Sequence, residues 1–155
     1  MAAERRAQVV WQGTLTQGNG KLNVGSGVLK DQPITWAARV ERPDGKTSPE
    51  ELLAAAHAGC YAMALSHTLT QDGTPPEWLE VKAVCTADLS SGGLKITTMD
   101  LEVRAKVSGL DASAFEQEAK KAEQNCPVSN ALRNNVQIRV KASLESQSTQ
   151  AAANI

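Results

Sequence analysis

From residue 8 to residue 40 the apolar positions come in short β-prone runs broken by glycine, as in QVVWQG and KLNVGSGVL. They predict three antiparallel strands over residues 8–13, 21–28 and 33–40, joined by tight turns. RPDGKTSP at 42–49 is polar and turn-rich and predicts a loop. The apolar period then lengthens. Ser48 can cap a helix, Pro49 suits its first position and Glu51 follows three residues after Ser48, which is a capping box. The helix that starts there should run to about Thr70, where Gln-Asp-Gly and Pro75-Pro76 stop it. Leu53, Ala56, His57, Cys60, Ala64 and His67 recur at spacings of three and four and are predicted to share one helical face.

Residues 78–89 and 94–107 alternate in the β manner around Ser-Ser-Gly-Gly and predict a long hairpin. Asp111 can cap a second helix through Asn125, with Phe115, Ala119, Ala122 and Cys126 along one stripe. Pro127 forbids simple continuation, so PVSNALR is expected as a further short helix before a last strand, VQIRVKASL. The tail, residues 146–155, is expected to fray. At 155 residues the whole chain is expected to be a single α+β domain with an adequate core, since folding at this size hides roughly 70% of the chain's surface.

Composition adds mainly exclusions. Hydrophobic residues are 41% and charged residues 21%, as in ordinary globular proteins. Sixteen basic and 17 acidic residues leave a net charge of −1, which gives no field to recruit nucleic acid or an anionic membrane. The N-terminus lacks a signal-like apolar run and nowhere do 18 apolar residues run together, so a cytoplasmic protein is expected. Three widely spaced cysteines, at 60, 85 and 126, do not make a secreted disulfide framework. In a reducing compartment each is either an apolar filler or a working thiol.

Glu51 has a role in the capping box, whereas Glu50 beside it is a spare carboxylate that could simply favour the helix dipole. Cys60 lies mid-helix among alanines, where burial alone would raise its pKa and leave it inert, so a reactive Cys60 needs a nearby cation. Arg39, just before the connecting loop, is a candidate. Cys126 precedes a proline that opens a helix and could be acidified by the helix N-terminus. The residues alone therefore leave two plausible thiols, 60 and 126. Cys85, in the strand VKAVCTADL, reads as a buried strand residue outside any site.

TSPEELLAAAHAGCYAMALS followed by NCPVSNAL resembles the two signatures of the OsmC/Ohr family of organic hydroperoxide reductases. The resemblance implies a compact α+β fold, with an antiparallel sheet, a central long helix and an intertwined homodimer whose active sites lie at the subunit interface. It implies no cofactor. Carried over by motif position, Cys60 of HAGC would be the peroxidatic cysteine and Cys126 of NCPV the resolving one. Glu50, the first glutamate of SPEE, would pair with an arginine that orients and activates the thiolate. QGNGK holds no arginine, so that partner would be Arg39, as in the OsmC branch, which AAHAGC also resembles. Tyr61 stands where phenylalanine is common in the family and, with Leu53, could line the substrate pocket.

The implied chemistry is attack of Cys60 on a hydroperoxide, release of an alcohol, and condensation of the resulting sulfenic acid with Cys126. The resemblance implies a thiol reductant as electron donor, a lipoyl-bearing protein or a small thiol. Two other readings stand beside it: a Cys/His hydrolase with His57 as base, and a non-catalytic, zinc-stabilised or dimer-forming binding module built on His57-x-x-Cys60 and Cys126. Apolar Leu52, Leu53 and Met63 around Cys60 predict a preference for organic hydroperoxides over hydrogen peroxide. Turnover of cumene hydroperoxide should therefore exceed that of hydrogen peroxide, and equal use of the small substrate would remove the preference.

Overall fold

The computed structural model describes residues 1–145, so the expected fraying of 146–155 lies outside the described residues. They form two compact units, one of Met1–Leu53 with Ala87–Ile96 and one of Ala54–Thr86 with Thr97 onward.

In the first unit β1 (Ala7–Gln12), β2 (Asn19–Val24) and β3 (Gln32–Ile34) form an antiparallel sheet in that order. β2 ends earlier than its apolar pattern suggests, because Gly27 takes φ +78° and its N–H donates to Val24 O at 2.9 Å in a tight turn. Gly20 is small for a reason: a Cβ there would lie 2.8 Å from Ile34 Cγ1 and 2.9 Å from Trp11 Cε3. Those two apolar side chains can thus close over β2.

The strand expected over residues 33–40 is corrected. β3 is three residues long and gives way to a short helix, α1 (Trp36–Val40), on which Arg39 sits. The cause is local. Thr35 has extended dihedrals and its hydroxyl accepts from Ala38 N–H, while Ala37, Ala38 and Arg39 are good helix formers.

α2 (Pro49–Gln71) is the long helix. Ser48 Oγ caps it by accepting from Glu51 N–H at 3.1 Å, as expected. The Glu51 carboxylate, however, accepts from the Thr47 hydroxyl at 2.6 Å, so the box is closed by Thr47 rather than by the Ser48 backbone.

The second unit holds the remainder of α2, most of β4 (Pro76–Ser90) and β5 (Gly93–Val107), α3 (Ala112–Asn125), α4 (Pro127–Leu132) and β6 (Gln137–Leu144). Its sheet runs β4-β5-β6. It is not wholly antiparallel, because β6 pairs parallel to β5 from Thr98↔Gln137 to Ala105↔Leu144. A parallel neighbour needs a crossover, and α3 and α4 supply it.

Met99, Leu101, Val103, Ala105 and Val107 alternate inward from β5, and α3 buries Phe115, Ala119 and Ala122. The buried face of α2 differs from the expected one: it is His57, Tyr61, Leu65, Thr68 and Leu69. Cys60 and Ala64 are half-buried at its edge, whereas Ala56 and His67 are exposed. The mixed α+β architecture itself is as the sequence implied. Among the described residues no helix is long and apolar enough to cross a membrane.

Asp72, just past α2, and Glu118 of α3 face each other with Lys121 beside both. Lys121 lowers the Asp72 pKa, while burial and then Asp72 raise that of Glu118. A carboxyl whose folded pKa is raised stabilises fully below its unfolded pKa, and that contribution is lost as pH rises through the folded value. Glu118→Gln should therefore stabilise the protein more at pH 7 than at pH 4. Thermal unfolding at the two pH values checks this, and a gain independent of pH would contradict it.

Candidate functional site

Two clusters contain the residues singled out from the sequence, one in each unit. In the first, Arg39 of α1 meets Glu50 in the first turn of α2. Arg39 Nε and Nη2 donate to Glu50 Oε1 at 2.8 and 2.6 Å. Glu50 is 7% exposed, and its Oε2 is buried without a hydrogen-bond partner. The guanidinium lies 6.0 Å from the centroid of the Trp36 ring. A carboxylate so nearly buried requires its cation, and charge-assisted bonds of this kind fix the guanidinium's direction. Arg39 Nη1 makes no hydrogen bond among the described residues, so one donor edge of the cation is spare. Beside it is a cavity of about 350 Å³, lined by Trp11, Leu15, Ile34, Thr35, Trp36, Arg39 and Pro49. Apolar walls with a single charged group suit a small, mostly apolar molecule.

In the second cluster, Cys60 of α2 meets Cys126, which ends α3 and opens α4. Cys126 is wholly buried and Cys60 is half-buried, and both are thiols. Tyr61, the next residue on α2, accounts for this placement. Its ring has no exposed surface and its hydroxyl donates to Ala119 O of α3 at 2.9 Å. Burial, then the charge of Glu123, raises the Tyr61 pKa well above the tyrosine range, so the hydroxyl keeps its proton and its bond. Tyr61, expected to line the substrate pocket, thus has its ring in the core of its own chain. Leu53, the other expected pocket residue, is half-buried on α2.

The Cys60 thiol is under opposing influences. Burial pushes its pKa up, the Val128 backbone N–H, which donates to it, pulls it down, and the Cys126 side chain pushes it up, with a net rise. No cation is among these influences. Val128 was invisible to sequence reasoning because its contribution is a main-chain N–H. The only hint was its place just after Cys-Pro, where the first N–H groups of a helix have no intrahelical acceptor.

His57 is wholly buried one turn before Cys60. Its Nε2 lies 2.7 Å from Ser129 Oγ of α4, and its Nδ1 is buried without a partner. Burial lowers its pKa and the charge of Glu123 opposes that. Its hydrogen bond is to a serine, so the thiol-activating base of the hydrolase reading is not formed. Among the described residues no group of three or more His, Cys, Asp or Glu could hold a metal ion, which leaves the zinc reading without a donor set. Cys85 is half-buried in β4.

Fold and site together define an α+β protein with two adjacent thiols and an Arg–Glu pair whose carboxylate is nearly buried. The family model described as OsmC-like protein matches residues 42–141, and the chain belongs to this OsmC-like family. Peroxiredoxin OsmC of Escherichia coli strain K12 is 38% identical over 133 residues, covering 86% of this chain and 92% of that protein. An organic hydroperoxide resistance protein of Xanthomonas axonopodis pv. citri is 28% identical over 140 residues, covering 89% and 96%. The crystal structure of the organic hydroperoxide resistance protein OhrB of Bacillus subtilis superposes with a TM-score of 0.70 at 27% identity, over 89% of this chain and 98% of that one. An organic hydroperoxide resistance protein from Elizabethkingia anophelis shares the fold, with a TM-score of 0.74 at 22% identity over 94% and 100%.

Proposed function

We propose that this chain is a thiol-dependent peroxidase that reduces organic hydroperoxides to alcohols, with Cys60 peroxidatic and Cys126 resolving. The observation that carries this reading is the adjacency of a half-buried Cys60 and a wholly buried Cys126. The names of the relatives, peroxiredoxin and organic hydroperoxide resistance protein, support a peroxidase-type role.

The Cys60 thiolate attacks one peroxide oxygen. The O–O bond breaks, the leaving alkoxide takes a proton and departs as alcohol, and Cys60 becomes a sulfenic acid. The Cys126 sulfur then displaces water from it and the S–S bond forms. A dithiol reductant, such as a lipoyl-bearing protein, reopens the disulfide by exchange and is itself oxidised. Leu53 and the apolar cavity beside Arg39 supply the contacts to the organic part of the substrate. The reaction proceeds in the cytoplasm and calls for no cofactor.

Activation needs a cation, because burial of Cys60 opposes ionisation. No cation is among the groups that shift Cys60, and we assign that role to the Arg39–Glu50 pair of a second copy in a homodimer. The exposure of apolar Val10 and Met63, 55% and 69% in the single chain, fits a partner copy. Lowering the thiol pKa by one unit takes about 1.4 kcal/mol, which a close guanidinium supplies.

Titrating the reduced protein with cumene hydroperoxide and mapping disulfides by mass spectrometry tests the thiol roles. A Cys60–Cys126 bond should form at about one peroxide per chain. It should be absent from Cys60→Ser and Cys126→Ser, with over-oxidised Cys60 in the second variant. If neither cysteine is oxidised quickly, the peroxidase reading fails.

Mixing subunits tests the shared site. Arg39→Met and Cys60→Ser should each be nearly inactive alone, while a heterodimer carrying one of each should regain turnover at one site. No recovery in an isolated heterodimer would return the arginine to its own chain's thiol.

A further inference from the structure

The reading of Cys60 and Cys126 as reacting thiols leaves a buried polar pair unexplained. His57 and Ser129 have no exposed surface, and their bond joins α2 to α4 across 72 residues of sequence. Burying an imidazole and a hydroxyl with one imidazole nitrogen unpartnered is costly, and an apolar pair of the same shape would avoid that cost. What the polar pair adds is a directed link of fixed length.

α4 depends on such links. It has six residues, and its N-cap, Cys126, provides no side-chain hydrogen bond. A helix so short does not hold itself in place. At its far end Arg133 donates to the Glu123 carboxylate at 3.2 Å and to Glu123 O at 3.3 Å, tying it to α3. At its near end the tie is Ser129 to His57.

The position of that tie is informative. His57 lies one helical turn before Cys60 on α2, and Ser129 directly follows Val128 on α4. The His57–Ser129 bond and the Val128 N–H to Cys60 contact are therefore neighbouring rungs between the same two helices. If the first rung opens, α4 is free to shift, and both the N–H that stabilises the thiolate and the adjacent Cys126 shift with it.

We propose that His57 is a positioning residue, whose bond to Ser129 clamps the first turn of α4 to α2 and so holds the Val128 N–H and Cys126 against the Cys60 sulfur. This rests on the assignment of Cys60 as the attacking thiol. The ionisable groups around the clamp are Cys126, Tyr61 of α2 and Glu123 of α3, the last paired with Arg133 of α4. Burial keeps His57 neutral at the pH where Cys60 titrates, so the clamp is intact there.

The test is the pH dependence of iodoacetamide alkylation, read cysteine by cysteine by mass spectrometry in the reduced full chain. Ser129→Ala should move the Cys60 midpoint up by about half a unit or more, slowing its alkylation about threefold below the midpoint. His57→Gln, which keeps a polar group near the Nε2 position, should stay close to wild type, and Cys85 should be unchanged in both. Disulfide closure after cumene hydroperoxide should be slower in Ser129→Ala.

An unchanged Cys60 profile in Ser129→Ala would overturn the clamp. So would an equal shift in His57→Gln, which would point to ring volume, or a parallel shift at Cys85, which would point to general loosening. Alkylation needs no peroxide, so failure of wild type to form the disulfide would remove the peroxidase reading while the clamp is still judged.

Discussion

The site depends on how α2 is fixed against α3, and the burial of Tyr61 is the constraint that fixes it. A ring with no exposed surface and a hydroxyl bonded to Ala119 O allow the helix one rotation and one axial position. Turning α2 would expose the ring and leave a buried hydroxyl and carbonyl unpaired, at a cost of about 1–3 kcal/mol for each unpaired group. His57 and Leu65, four residues to either side, bury the same face. Cys60 is one residue from the buried stripe, so its side chain emerges at the stripe's edge. There it is close enough to Cys126 to interact and open enough to be reached.

That placement sets opposing demands on the thiol. Partial burial disfavours the thiolate, and a neighbouring sulfur disfavours it further, while one main-chain N–H favours it. A single neutral donor does not outweigh the other two. The balance is what a thiol awaiting a cation would show. The Arg39–Glu50 pair is an oriented cation with a donor edge spare among the described residues, held by its own carboxylate and flanked by Trp36. Under the proposed reading that cation comes from a second copy, which makes assembly a condition of activity.

α4 has an unusual part in this arrangement. Its first turn contributes a thiol through Cys126, a main-chain donor through Val128 and a structural tie through Ser129, all within four consecutive residues. Pro127 concentrates these roles. It ends α3, permits the new axis of α4 and leaves the following N–H groups without intrahelical acceptors.

Much of this was legible in the sequence because it depends on neighbours along the chain. The caps at Ser48 and Asp111, the stop after Gln71, the hairpin around residues 91–92 and the buried stripe of α3 follow from local chemistry and periodicity. The motifs around Cys60 and Cys126 identified the family, and SPEE with Arg39 singled out the pair that the fold joins. The sequence could not decide which face of α2 is buried. Alanine and glycine make up seven of the eleven residues from 54 to 64, so the helix's hydrophobic periodicity is weak there and Tyr61, rather than a stripe, sets the orientation. Nor could it show that Thr35 turns a β-prone segment into α1, that β6 runs parallel to β5, or that the N–H of Val128 and the hydroxyl of Ser129 converge on the region of Cys60. Those depend on contacts between distant segments, and only tertiary packing determines which donors, acceptors and apolar faces meet.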